Sequence, residues 1–83
     1  MAMPISPKHR HVAELAAGAL DTSDQLAVRA ALEGGQRIAV VRALREAEGR
    51  GSRVAGLARE AFQDDEQFVD ARPLAALIAR GGK

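Results

Sequence analysis

Few side chains in this sequence have the chemistry that an enzyme or a metal site requires. The chain contains no cysteine, and its two histidines, His9 and His11, lie among basic residues near the N-terminus. Neighbouring cations disfavour a divalent metal, and no carboxylate precedes Glu14 to complete a site. The hydroxyl groups and carboxylates show no spacing typical of a catalytic triad or an acid pair. We therefore predict no catalytic residue, no metal and no cofactor, and we expect both histidines to lie in a solvated tail.

Charged residues are segregated in the second half of the chain. From Arg37 to Arg59, six arginines stand against two glutamates, whereas residues 60–70 contain five acidic residues and no basic one. The net charge of the whole chain is only +1, which disfavours a general polyanion binder. A dipolar chain suits contacts with a protein partner or with a second copy, although ordinary solvated helix faces give the same pattern.

The sequence Gly49-Arg50-Gly51-Ser52-Arg53 indicates a tight turn before a helix. Backbone N–H groups at a helix N-terminus between two arginines can hold a phosphate or a carboxylate. The P-loop pattern is absent, however, so the sequence gives only weak support to a nucleotide site and fits a simple helix–helix turn.

Composition limits the chain to one small domain. Of its 83 residues, 18 are alanines and 21 are Leu, Ile, Val, Met or Phe. A core of this size supplies a net stability of only about 3–5 kcal/mol, so we expect a homo-oligomer. The N-terminal residues lack a secretory pattern and no apolar run is long enough to cross a membrane. We therefore expect a cytoplasmic protein with no membrane partner.

Apolar spacing predicts an all-α fold, a compact bundle of four to six short amphipathic helices. Residues 1–10 contain two prolines and no apolar period, so we predict a flexible N-terminal tail there and a single helical domain over residues 11–82. Thr22 is placed to cap a second helix, which ends at Gly34-Gly35. This helix is expected to bury Leu26, Ala30 and either Val28 or Leu32.

The strongest helical signal covers residues 36–48, where Ile38 is expected on the buried side. Ser52 is placed to cap the following helix, residues 52–62, and these two helices form a predicted hairpin. Pro73 suits the first turn of a last helix.

The chain also resembles itself at an offset of 42 positions. Residues 12–20 match residues 54–62, and Asp24-Gln25-Leu26 matches Glu66-Gln67-Phe68. This offset is close to the period of HEAT-type helical repeats. Alanine-rich amphipathic helices also align this well without a common origin, so a duplication remains one of two interpretations. Two units are too few for a solenoid, which favours a compact bundle or a dimer.

A partial family resemblance covers about residues 31–58. Residues 31–51, ALEGGQRIAVVRALREAEGRG, resemble the helical hairpin of the C-terminal domain of the bacterial ribosomal stalk protein and its short stand-alone relatives. The resemblance implies docking of translation factors or other partners on a face formed by Arg37, Val41, Arg42 and Arg45. It also implies an α/β sandwich as the alternative fold.

The chain departs from that family at two positions of the second helix. The family usually has an apolar residue where Ser52 stands and a lysine where Gly56 stands.

Three functions fit these patterns. The first is a non-enzymatic protein-interaction or adaptor module that self-associates and docks a protein partner through the predicted hairpin. The second is a nucleic-acid-binding regulator that uses the Arg37–Arg59 basic face, and the third is a small structural subunit of a larger assembly. The predicted partner-binding residues are Arg37, Val41, Arg42, Arg45, Arg50 and Arg53.

Overall fold

Five α-helices and one 3-10 turn occur in the part of the chain that the computed structural model describes, residues 4–82. In chain order they are α1 (Pro7–Ala19), α2 (Thr22–Gly34), α3 (Arg37–Gly49), α4 (Arg53–Ala61) and α5 (Arg72–Ala79), with the 3-10 turn at Glu66–Phe68 before α5. No strand occurs in these residues. The all-α prediction is confirmed, and the alternative α/β sandwich is wrong.

Helix α1 begins inside the segment predicted to be a flexible tail. The Ser6 hydroxyl accepts the backbone N–H of His9, and Pro7 at the start of the helix has no N–H that needs a partner. His9 is buried three positions before Val12 and extends the apolar side of the helix. The tail prediction is therefore wrong for residues 7–10, as is the expectation of a solvated His9. Residues 1–3 of that predicted tail lie outside the described residues.

Helix α2 begins and ends at short backbone signals. Asp21 is its N-cap and Thr22 is already helical, and no side-chain hydrogen bond caps this end. The prediction that Thr22 is the cap is therefore wrong. At the other end Gly35 adopts a φ of 70°, a left-handed conformation that glycine tolerates without strain, so the predicted glycine stop is confirmed.

The buried side of α2 differs from the prediction. Its buried residues are Asp24, Val28 and Leu32, each four positions from the next. Leu26 is 64% exposed and Ala30 is exposed too. The prediction is therefore wrong for Leu26 and Ala30, because the third side chain on the core side is an aspartate. It is confirmed for Val28 and Leu32, which are both buried.

The connection between α3 and α4 is a tight turn. Gly51 has a φ of 102°, which other residues rarely adopt. The Ser52 hydroxyl accepts the backbone N–H of Ala55 at 3.1 Å, so the predicted cap of α4 is confirmed. This short turn fixes α3 and α4 as a hairpin.

Buried apolar side chains from all five helices form one core. Helix α1 packs against α2, α4 and α5, while α3 packs against α2 and α4. The largest fully buried side chains are those of Leu44, Val12, Val28, Val40 and Val54.

The two helices of the internal echo, α1 and α4, pack against each other. Equivalent positions are buried in both, namely Val12 and Val54, Ala16 and Ala58, and Leu20 and Phe62. The second halves of the echo differ, because Asp24 is buried in α2 whereas Glu66 is exposed in the 3-10 turn. A common origin of the two halves stays a prediction.

Candidate functional site

The side of α3 that faces away from the core carries an apolar side chain beside two arginines. Ile38 is 69% exposed, and Arg42 and Arg45 are exposed as well. Residues four and seven positions apart return to the same side of an α-helix, so the three side chains form one surface, the α3 outer face (Ile38, Arg42, Arg45). Neither arginine takes part in an ion pair within residues 4–82.

The position of Ile38 corrects the sequence prediction that it is buried. The core side of α3 is formed by Val40, Leu44 and Ala47. Residues two positions apart on a helix point about 200° from each other, so burial of Val40 turns Ile38 towards solvent. Single exposed apolar side chains are common on protein surfaces, but arginine is enriched in protein interfaces, so the combination makes this face a candidate.

Arg37 and Val41, the other two residues of the face implied by the family resemblance, are half-buried. The Arg37 guanidinium donates a hydrogen bond to the backbone carbonyl of Phe62 and lies 5.8 Å from the centroid of the Phe62 ring. Val41 packs against the core. Both side chains therefore hold α3 in place and offer a partner little free surface.

The two arginines near the α3–α4 turn have different environments. Arg50 donates a hydrogen bond to the carboxylate of Asp24, whose side chain is only 9% exposed while that of Arg50 is 59% exposed. Arg50 thus neutralises a buried carboxylate in the first turn of α2. Arg53, the first residue of α4, is exposed. The structure brings Arg42 and Arg45 together with Ile38 and places Arg50 and Arg53 beyond the C-terminal end of α3.

An ion pair clamps the hairpin. The Arg59 Nε lies 2.5 Å from the Glu48 Oε1, and an Arg59 terminal nitrogen lies 3.2 Å from the Glu48 Oε2. The hydrogen bond from Arg59 lowers the pKa of the Glu48 carboxyl, and the same bond raises the pKa of Arg59.

A small residue is needed under this clamp. A Cβ atom at Gly56 would lie 2.8 Å from the Glu48 Oε2. A longer side chain would therefore displace the Glu48 carboxylate from Arg59. Glycine at this position leaves the Glu48 carboxylate within reach of Arg59.

A groove of about 210 Å³ lies among α1, α4, α5 and the segment before α5. Its apolar lining and its acidic rim define a surface that we call the acidic groove. The lining residues are Val12, Leu57, Ala61, Pro73 and Leu74, and the rim residues are Glu60, Asp64, Phe68 and Asp70.

Some of the carboxylates on the rim of the acidic groove have no ion-pair partner within residues 4–82. Phe68 is 66% exposed. The carboxylates of Glu60 and Asp64 form no ion pair with any residue of the described range, 4–82. Asp70 accepts hydrogen bonds from the side chain and the backbone N–H of Arg72, which lower the pKa of the Asp70 carboxyl. The groove therefore offers a cationic apolar ligand two free carboxylates beside an aromatic ring.

His9 connects the start of α1 to one wall of this groove. Its Nε2 lies 2.9 Å from the backbone carbonyl oxygen of Asp64, which can only accept, so Nε2 carries the proton. Its Nδ1, 2.5 Å from the Ser6 Oγ, accepts the hydroxyl proton of Ser6. The imidazole centroid lies 5.2 Å from that of the Phe62 ring.

A serine paired with a histidine is also the couple that activates a nucleophile in hydrolases. Here the Ser6 oxygen caps α1, and His9 is only 2% exposed, so a substrate has no access to Nδ1. The contacts of this pair are those of a structural cap.

Within residues 4–82, no three histidine, aspartate or glutamate side chains are grouped closely enough to bind a metal ion. None of the helices in that range has both the length and the apolar character needed to cross a bilayer.

Sequence reasoning missed the acidic groove and the buried histidine for different reasons. The Ser6-Pro7 pair is a helix start signal, and His9 precedes Val12 and Ala16 by three and seven positions, so the sequence did contain evidence for α1. The groove has no such signal, because its residues come from α1, α4, α5 and the segment that precedes α5.

Comparisons of the chain with models of protein families, with curated proteins and with solved structures found no match. The resemblance of residues 31–58 to the ribosomal stalk hairpin therefore stays a prediction. Function has to be inferred from the surfaces described above.

Proposed function

We propose that this chain is a non-enzymatic protein-interaction module that docks a protein partner through the α3–α4 hairpin and also self-associates. The observation that carries the proposal is the α3 outer face, where Ile38 is 69% exposed beside two exposed arginines. Burying an exposed isoleucine against a partner stabilises the complex by about 1.5–3 kcal/mol if the side chain is fully covered.

The rest of the hairpin supports this use of α3. The Glu48–Arg59 pair and the contact of Arg37 with Phe62 hold α3 and α4 together. A surface that is rigid before binding loses less conformational entropy on binding, so more of the contact energy appears as affinity.

The chemistry of the face points to an acidic protein surface with an apolar contact point. Arg42 and Arg45 each present a planar guanidinium that can bind a carboxylate through two parallel hydrogen bonds. Ile38 supplies the apolar part of the same contact. The cytoplasm is the compartment that we propose for this interaction.

A nucleic-acid partner fits these surfaces less well. A helix-turn-helix protein places a base-reading helix after its second helix, whereas α4 is followed by exposed acidic residues and a 3-10 turn at Glu66–Phe68. Phosphates would repel these carboxylates. A gel-shift titration with nucleic acid tests this alternative. Binding of nucleic acid that weakens steeply with salt and is abolished by Arg42→Glu would favour a nucleic-acid partner over a protein partner.

A structural subunit that folds only within a larger assembly is the third reading. Circular dichroism of the purified chain separates this reading from the proposed module. Strong helical ellipticity with a cooperative melt is expected for the module, and a disordered spectrum would favour the subunit.

Affinity capture from a native cell extract tests the proposed function. The immobilised full chain is compared with Arg42→Glu/Arg45→Glu, and the retained proteins are identified by mass spectrometry. We expect the double variant to retain the specific partner at least about tenfold less, because two carboxylates now face an acidic surface.

The control is Arg29→Glu/Arg80→Glu, which makes the same change of charge at two exposed positions away from α3, one on α2 and one directly after α5. This variant should retain the partner at the wild-type level. Equal retention by both double variants, or no specific retention by the wild type, would contradict docking through α3.

A further inference from the structure

We infer that the α3 outer face of one molecule docks into the acidic groove of a second copy, so that the chain assembles head to tail. The inference rests on the proposed function and names both the partner and the surface that the partner supplies. It also gives a role to two surfaces of one short chain that carry opposite charges.

The two surfaces are complementary in charge. Arg42 and Arg45 are exposed on α3, and the unpaired carboxylates of Glu60 and Asp64 lie on the rim of the groove. The chain has a net charge of only +1, so this segregation is a property of its faces and not of its overall composition. Opposite charges on two faces of one molecule favour contact between different faces over contact between identical ones.

The two surfaces are also complementary in shape and polarity. Ile38 is a single exposed apolar side chain one turn before Arg42 and two turns before Arg45, and the groove of about 210 Å³ is lined by both apolar and acidic residues. A groove of this volume has room for one branched side chain. Phe68, which is 66% exposed and lines the groove, offers that side chain an aromatic contact.

The position of the two surfaces determines the kind of assembly. Helix α3 packs against α2 and α4, whereas the groove is formed mainly by α1, α4 and α5. One molecule can therefore use both surfaces at once. Repeating such a heterologous contact yields either a closed ring or an open chain, and not only a dimer.

Sedimentation velocity of the full chain over a range of concentrations gives the first test. We expect the average mass to rise past that of a dimer at about 50 mM salt and to fall at about 500 mM salt, because exposed charges are screened. A monomer at all concentrations in low salt would overturn the inference.

Two variants that each destroy one surface give the decisive test. Ile38→Asp removes the α3 outer face and leaves the groove intact, and Glu60→Lys/Asp64→Lys does the reverse. We expect each variant alone to associate at least about tenfold more weakly than wild type, and an equimolar mixture of the two to form a stable dimer. A mixture that stays monomeric, or one of these variants that assembles like wild type, would overturn the inference.

Leu26→Asp is the matched control, because Leu26 is 64% exposed on α2 and Ile38 is 69% exposed on α3. This control should assemble like wild type, and loss of assembly in it would overturn the assignment to α3. Circular dichroism of each variant verifies that the helices are retained.

The two proposals fail in different ways. A monomeric wild type that still captures a different protein through Arg42 and Arg45 would contradict the head-to-tail inference and the self-association in the proposed function, but not the docking of a protein partner through α3. A wild-type chain that neither self-associates nor captures a protein would contradict both proposals.

Discussion

The contacts of Ser6 and His9 predict that the start of α1 contributes a large part of the stability of this small bundle. Replacing either residue by alanine tests whether this segment belongs to the fold or is a tail. Ser6→Ala removes the oxygen that accepts the His9 backbone N–H and the hydroxyl that donates to the His9 Nδ1. His9→Ala removes the donor to the Asp64 carbonyl and the ring that packs on Phe62.

The expected size of these effects follows from the contacts. Loss of a helix N-cap costs about 1 kcal/mol, and a buried nitrogen left without a donor costs about 1–3 kcal/mol. We therefore expect Ser6→Ala to lower the free energy of unfolding by about 2–4 kcal/mol. His9→Ala leaves both a cavity and an unpaired carbonyl, so we expect a loss of about 2–4 kcal/mol.

Urea unfolding followed by circular dichroism measures both effects, and His11→Ala is the internal control. His11 lies two positions further along α1 and is exposed, so its replacement should change the free energy of unfolding by no more than about 0.5 kcal/mol. The double variant Ser6→Ala/His9→Ala should show coupling of about 1 kcal/mol, because the two side chains share a hydrogen bond. If Ser6→Ala and His9→Ala are no less stable than His11→Ala, the start of α1 is not part of the cooperative fold.

Two further predictions concern the ion pairs. Arg50→Ala should destabilise the chain by about 1–3 kcal/mol, because the Asp24 carboxylate, whose side chain is only 9% exposed, loses its partner. Adding Asp24→Leu should restore most of that stability. An unchanged urea midpoint in Arg50→Ala would contradict this prediction. Arg59 holds the pKa of Glu48 below its ordinary 4.5, so the stabilisation from this pair is complete above that pH and disappears as the pH falls through the lowered pKa. In Glu48→Gln the free energy of unfolding should therefore fall less steeply as the pH is lowered than in the control Glu33→Gln, which replaces an exposed carboxylate on α2. An equally steep fall in both variants would contradict the assignment to the Glu48–Arg59 pair.

The helices and their buried sides could be predicted wherever apolar and polar residues alternate with a clear helical period. In α1 and α4 the spacing of Val12 and Ala16, and of Val54 and Ala58, identifies one side of each helix, and those residues are buried. The apolar spacing is sufficient in such helices, because only one rotation of the helix about its axis buries the side with the most apolar area.

Local spacing failed where apolar residues cover a whole turn. Ile38, Ala39, Val40 and Val41 are consecutive, so every direction around α3 carries an apolar side chain in that turn. Packing of α3 against α2 and α4 selects Val40 for the core and leaves Ile38 exposed. The candidate binding face thus depends on a tertiary choice that the apolar pattern does not contain.

Polar contacts between positions far apart in the sequence could not be predicted either. Asp24 and Arg50 are 26 positions apart, and His9 and Asp64 are 55 positions apart. The spacing of Asp24 with Val28 and Leu32 could have shown that a carboxylate lies on a buried side and needs a cation. It could not have shown which of the many arginines supplies it.

The acidic groove exists because the second half of the internal echo cannot form one continuous helix. Pro73 stands where α2 has Ala31, 42 positions earlier. In the interior of a helix, proline lacks an N–H and clashes with the carbonyl four residues before it, whereas in the first turn it does neither. The helix therefore restarts at α5, with Pro73 in its first turn, and Leu74 reaches the core as its counterpart Leu32 does.

The segment between α4 and α5 does not form a long helix. Residues 62–70 contain only the 3-10 turn at Glu66–Phe68, and most of their charged side chains are exposed. A continuous helix like α2 would bury one side of this segment, as it buries Asp24. Phe68 and Asp64 instead line the acidic groove.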